Sequence, residues 1–284
     1  MATPKKPHNV AALHQRIEQV ASAKGTAANR LQRRISAMVL SSAFERARND
    51  DNSRTFAVKG GVTIELRLDL RARSSQDFDA SYNVPLDELI AKVDAALVEP
   101  VGDFRIERLT EEPYVNEEHG FMSMELRIYY REKSFRKIKL ELMRAEGKSI
   151  EKVDFVPAFE LDSFGLDEGP VTVACMPLSY QIAQKLHACT DTNENGKPND
   201  RSRDLIDIIL ARDVLPEELL KDTKAACVEV FELRARHPWP PSIRVEDAWP
   251  DQFRLEAEEI GFPMLDVVEA AERVQEIVAE IDAI

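Results

Sequence analysis

Val10, Leu13, Ile17 and Val20 recur at helical spacing, which predicts a first helix over 8–23. Lys24-Gly25 closes it, and Thr26 is placed to cap a second helix carrying Leu31, Ile35, Met38, Val39 and Phe44 on one face. The polar run 49–53 reads as a turn, and Phe56-Ala57-Val58 as a short strand. Ile64, Leu66, Leu68 and Leu70 alternate, so 62–70 fits either a strand or a short helix. An amphipathic helix is expected at 86–97, with Leu89, Ile90, Val93 and Leu97 inward. Residues 104–109, 122–130 and 138–142 alternate like strands of an antiparallel or mixed sheet. Pro157, Pro170 and Pro177, with Gly165 and Gly169, change the texture after about residue 150. Helical patterns then cover 179–190, 203–212, 217–236 and 266–284, with Pro238, Pro240 and Pro241 ending the third of them. The expectation is an α+β protein of two lobes: N-terminal helices (1–53) packed on an α/β core (54–150), then a helical C-terminal lobe (151–284). Ligand clefts favour interfaces between lobes, so a site there is expected.

Hydrophobic residues make up 44% of the 284 and charged residues 31%, enough for a sizeable core. No apolar run approaches the ~20 residues that cross a bilayer. Met1–Pro7 lacks a following apolar segment, so no secretory signal is expected. Cys175, Cys189 and Cys227 show no metal-type spacing and read as reduced thiols, consistent with a cytoplasmic protein. The net charge of −13 argues against generic nucleic-acid binding. However, Arg244–Ile284 holds twelve acids and three bases, a net −9, which leaves −4 for the rest. RNA contact would use local patches: Arg131, Lys133, Arg136, Lys137 and Lys139, or Arg30, Arg33 and Arg34. Solvated faces explain either patch equally well.

The chemistry concentrates at Lys59-Gly60-Gly61 and Arg73-Ser74-Ser75-Gln76-Asp77-Phe78-Asp79. On a strand, Asp77 and Asp79 share a face and Phe78 takes the other. Carboxylates that close repel unless a cation lies between them, and hard cations such as Mg²⁺ take carboxylates together with substrate phosphates. Gly60-Gly61 lets backbone approach a phosphate. These residues read as a site for a nucleoside triphosphate (NTP) and its metal. No Gly-x-Ser-x-Gly, His-Glu-x-x-His or Walker lysine motif supports a hydrolase triad, a zincin or a P-loop.

Gly-Gly, a short spacer, then Asp-x-Asp between apolar neighbours resembles the nucleotidyltransferase signature. The fuller string, with Leu178, Lys185-Leu186-His187-Ala188 and Arg203-Asp204-Leu205-Ile206-Asp207 downstream, resembles the AbiEii/AbiGii family, to which the MenT toxins belong. The resemblance spans roughly 56–210. It implies a short helix directly after Gly60-Gly61. It also implies a metal-dependent transferase toxin of a type IV, abortive-infection-like toxin–antitoxin system. Such an enzyme moves a nucleoside monophosphate from an NTP to an acceptor, with Mg²⁺ or Mn²⁺ as cofactor. The implied partners are a cognate antitoxin and an RNA acceptor, in some members the tRNA 3′ end. Asp77 and Asp79 would hold metal, and a third acid is expected from a later strand, where Glu141 stands between Leu140 and Leu142. An edge charge paired with Lys139 is the plainer account of Glu141. Lys185 and Asp204 match the family pattern as catalytic residues, Lys185 as a triphosphate donor and Asp204, with Asp207 on the same helical face, holding it, although an interhelical ion pair would look the same. Lys59, Arg73 and Ser75 complete the NTP-binding set. Lys197 and Arg201 could reach a phosphate but read as solvated loop charges, while His119 and His187 lack ligand partners.

Two other readings remain open. A small-molecule, aminoglycoside-type nucleotidyltransferase would suit the acidic charge. A catalytically inactive interaction protein of the same fold is the other, and the intact Asp77, Asp79, Glu141 and Lys185 speak against it. A metal-dependent nuclease would not need Gly60-Gly61.

Overall fold

The computed structural model describes residues 4–167, 169–192 and 199–284, and the chain divides into two compact units. The first takes residues up to Leu66, with Ser74–Ala145 and Ile150–Cys175; the second takes Arg67–Arg73, Glu146–Ser149 and Met176–Ile284.

The first unit opens with α1 (Val10–Lys24) and α2 (Ala28–Glu45). Asn9 caps α1 by accepting from the Ala12 amide, and Gly25 ends it at φ 64°. Thr26 does not cap α2. Its amide is used to close α1, donating to the Ala21 carbonyl at 3.0 Å, and Ala27 takes the N-cap position without a side-chain bond. Next come β1 (Phe56–Lys59), α3 (Gly61–Leu68), β2 (Phe78–Tyr82), α4 (Leu86–Val98), β3 (Phe104–Arg108), β4 (Tyr114–Asn116), β5 (Phe121–Tyr130), β6 (Lys133–Arg144), β7 (Asp154–Pro157) and β8 (Thr172–Cys175). The ambiguous segment after Gly60-Gly61 is therefore helical.

These strands form one mixed sheet ordered β3-β5-β6-β2-β1-β8-β7, with β4 on β5. The β2–β6 and β1–β8 pairs are parallel and the others antiparallel. Alternation gives the sheet two unlike faces. Phe78, Ala80 and Tyr82 of β2, with Leu140 and Leu142 of β6, are wholly buried in one core with Leu31, Ile35 and Met38 of α2. Asp79 and Glu141 fall on the opposite face. The texture change near residue 150 does not coincide with the division between the units, because β7 and β8 extend the first unit's sheet.

The second unit holds α5 (Leu178–Thr190), α6 (Ser202–Val214), α7 (Leu220–Arg234), α8 (Trp249–Ile260) and α9 (Val267–Asp282). Trp249 and Phe253 of α8 are fully buried, and Gly261 ends that helix at φ 64°. Cys175, Cys189 and Cys227 are buried and outside any disulfide. Among the described residues no helix is long and apolar enough to cross a membrane.

Candidate active site

Register aligns four side chains across the first unit's sheet. Lys59 of β1 stands opposite Asp79 of β2, Asp79 is paired with Glu141 of β6, and Glu141 with Ser123 of β5. Directly opposed residues share a face about 5 Å apart. Asp77 sits at the entrance to β2, two residues before Asp79, and Phe78 between them turns into the core with no exposure.

The Gly60-Gly61 turn abuts these acids. Gly60 has φ 70°, and a Cβ there would lie 2.2 Å from Asp79 Oδ2. A Cβ on Gly61 would lie 3.0 Å from Ser75 Oγ. Gly60 is favoured by its backbone as well as by this close approach, whereas a side chain at Gly61 would need Ser75 to give way slightly. Ser75 Oγ donates to the Asp77 carbonyl at 2.9 Å, which fixes the turn that delivers Asp77.

Lys139 supplies a counter-charge. Its ammonium is bonded to Glu141, and that bond raises its pKa most. Partial burial opposes the rise, and the charges of Glu141, Asp77 and Asp79 add to it. The plainer account of Glu141, a charge paired with Lys139, is thus the arrangement present. Among the described residues no three His, Cys, Asp or Glu side chains stand together as a metal cage. The donor chemistry still suits a hard cation, since Asp77 and Asp79 are oxygen ligands beside a backbone cradle, and Mg²⁺ often takes two carboxylates with substrate phosphates.

The second unit carries its own cluster. Lys185 of α5 donates to Asp204 Oδ1 at 2.6 Å and Asp207 Oδ2 at 2.7 Å. Arg73 donates side-on to Asp207, Nη2 to Oδ2 at 2.8 Å and Nε to Oδ2 at 3.1 Å. Asp207 is fully buried and is the hub. Burial alone would raise its pKa, but the Lys185 and Arg73 charges overcome this and hold it at about 2. Burial would lower Lys185, but Asp204 and Asp207 hold it up. Helix α8 brings Glu256 to the same neighbourhood, its pKa raised by burial and then by Asp207 and Asp204, against Arg73 and Arg203.

Of the remaining expected residues, Arg201 lies 4.0 Å from both Asp200 and Asp204, and Lys197 lies outside the described residues. His119 is exposed, whereas His187 is buried against Phe231 and His237. The basic run 131–139 does not form one patch. Arg131 pairs with Asp103, Lys137 with Glu125 and Lys139 with Glu141, while Arg136 binds Asn29 and Gln32 of α2. Sequence reading gave Lys139 both to the basic run and to a pair with Glu141, and the pair is present. It gave no weight to Glu256 and did not foresee Arg73 on Asp207.

A mixed sheet with a Gly-Gly turn packed on one acid, and a second acid in register on the next strand, defines a nucleotidyltransferase-type core. The family model described as nucleotidyl transferase AbiEii toxin, type IV toxin–antitoxin system, matches residues 43–280, and the chain belongs to that family. Among solved structures it is similar to MenT4, the nucleotidyltransferase toxin Rv2826c of Mycobacterium tuberculosis H37Rv, at 18% identity and TM-score 0.54, covering 94% of this chain and 98% of that one. It also matches JHP933 of Helicobacter pylori, at 14% identity and TM-score 0.43, covering 88% and 89%. No curated protein sequence matches it.

Proposed function

We propose that this chain transfers a nucleoside monophosphate from an NTP to the 3′ end of tRNA, as the toxin of a toxin–antitoxin pair. The observation that carries the transferase reading is the contact of Gly60 with Asp79, which reserves bare backbone beside a carboxylate in a chain of the AbiEii family. Family membership supports an NTP substrate and a cognate antitoxin, and the choice of acceptor rests on what the sequence resemblance implies.

Bound Mg²⁺ or Mn²⁺ would neutralise triphosphate charge and polarise the reacting phosphorus. Asp77 and Asp79 would hold it. Glu141 would join them once Lys139 releases it. Gly60 and Gly61 would leave room for the phosphates, with Ser75 fixing the loop beside them. Attack by the acceptor hydroxyl on the α-phosphorus forms the new P–O bond and expels pyrophosphate. Lys185 would donate to phosphate oxygens as a compact ammonium kept charged by Asp204 and Asp207. Arg73, bonded to Asp207, would orient that carboxylate, and Lys59 would add positive charge on the Asp79 face.

The acceptor is tested by incubating the protein and Mg²⁺ with each labelled NTP, beside total RNA or an aminoglycoside panel. Label in the tRNA band supports the reading. Label confined to an aminoglycoside overturns the acceptor, and no label in any pool overturns the transferase.

A further inference from the structure

The row of side chains that crosses the first unit's sheet continues past Ser123. Tyr114 of β4 stands directly opposite Ser123, so Lys59, Asp79, Glu141, Ser123 and Tyr114 lie on one face of adjoining strands. Strands are about 4.8 Å apart, which puts Tyr114 three steps, roughly 14 Å, from Asp79. Phe121, two residues before Ser123 on β5, shares that face, while Met122 between them is buried on the other. The Phe121 and Tyr114 rings meet edge to face, with centroids 6.1 Å apart. Tyr114 is nevertheless 63% exposed. The pair differs from scattered surface aliphatics because strand register fixes it in line with the acids.

Direction along the row identifies the occupant. Gly60 and Gly61, where the triphosphate has room, follow β1 and so lie on the β1 side of the acids. Displacement at phosphorus is in line, so the attacking hydroxyl arrives opposite the departing pyrophosphate. The acceptor therefore approaches from the side of β6, β5 and β4, over Ser123, whose short side chain keeps the floor low between Glu141 and the aromatic pair. Every nucleobase has a π face that stacks on an aromatic side chain. An aminoglycoside has no such ring, whereas an RNA end does.

We propose that Tyr114 and Phe121 form a stacking platform for a nucleobase at the 3′ end of an RNA acceptor. The platform deepens the transferase reading and rests on it for the direction of approach. Tyr114 offers its exposed ring to the base, and Phe121 braces that ring from the neighbouring strand.

The test uses the full chain in EDTA, where no metal-assisted transfer runs. A single-stranded RNA oligonucleotide carrying 2-aminopurine at its 3′ end is titrated with protein, and the quenching that accompanies stacking is followed. Wild type should bind and quench. Tyr114→Ala, at an exposed position, should lose most of the quenching and weaken binding by about fivefold or more. Tyr114→Phe keeps the ring and should follow wild type. So should Phe155→Ala, which removes an aromatic side chain of like exposure, 62%, from β7 at the sheet's margin. In transfer assays Tyr114→Ala should raise KM for RNA and leave KM for NTP unchanged. A rise in KM for NTP alone would assign the platform to the nucleotide's base and overturn the acceptor assignment. Absence of quenching in wild type, or a Tyr114→Ala protein that binds and quenches like wild type, would overturn the platform and leave the pair as a contact for another protein. The titration needs no turnover, so it holds whether or not label enters RNA, and the two failures are separable.

Discussion

Gly60 is the residue whose replacement separates shape from charge at the acidic site. Gly60→Ala adds one methyl where 2.2 Å remains to Asp79 Oδ2, at φ 70°. It should cost about 1–2 kcal/mol of stability and displace the Asp79 carboxylate, so transfer falls far more than folding does. A Gly60→Ala protein with wild-type turnover would show that the close approach has no part in transfer. Lys139→Gln acts in the opposite direction. The ion pair is half-exposed, with Lys139 at 49% and Glu141 at 28% side-chain exposure, so its loss is worth at most about 1 kcal/mol. Glu141 becomes available, and the Mg²⁺ concentration for half-maximal transfer should fall by up to about fivefold. An unchanged or higher requirement would show that Glu141 is no ligand. The opposite faces of Phe78 and Asp79 were legible in sequence because strand alternation dictates them, whereas Asp77 lies one residue before β2, where alternation does not reach. The hold of Lys139 on Glu141 was half legible, since spacing placed them together but did not rank an ion pair against a metal.

At the scale of elements, α5 and α6 carry a charged cluster whose stability depends on pH. Asp207 is held at about 2 in the fold, below its unfolded value. Its contribution is therefore present above pH ~4 and lost as pH falls towards 2. Asp207→Asn should destabilise at neutral pH by several kcal/mol, because it leaves Lys185 and Arg73 buried without their shared acid. It should also flatten the acid limb of the stability curve between pH 4 and 2. An unaltered limb would exclude Asp207 as the hub. His187 acts at milder pH. Burial, then the Arg234 and His237 charges, push it down to about 3, so it stays neutral when folded. A depressed histidine contributes stability that is full above its unfolded pKa of about 6.5, and that declines as pH falls towards 3. Between pH 7 and 5 the loss should be about 2 kcal/mol, and a folded His187→Phe protein should show a smaller decline over that interval in denaturant titrations. Equal declines would assign the acid sensitivity elsewhere.

The element pattern itself was largely legible, because periods of two and 3.6 differ enough to be told apart. The misses have physical causes. Strands β4, β7 and β8 are three or four residues long, too short to show a period. Helix α8 begins at Trp249-Pro250 after a proline-broken stretch, and its buried face rests on Trp249, Phe253 and Ala257 alone. Helix α3 was undecidable by alternation, since Ile64, Leu66 and Leu68 also fit a strand.

At the scale of the whole molecule, sequence placed the division of the chain at the prolines near 150. Two short strands carry the first unit on to Cys175, and three pieces of chain, among them Arg67–Arg73, complete the second. Such discontinuous units are set by long-range pairing, which local composition does not encode. The AbiEii family match runs through residues of both units, and the central claim is that the group moved is a nucleotidyl group. The decisive measurement supplies the intact protein, Mg²⁺ and total RNA with NTP labelled either at the α- or at the γ-phosphorus. Nucleotidyl transfer requires that α-label enters RNA, that γ-label leaves as pyrophosphate, and that a folded Asp79→Ala protein does neither. Transfer of γ-label to the acceptor, or α-transfer that persists in Asp79→Ala, would contradict it.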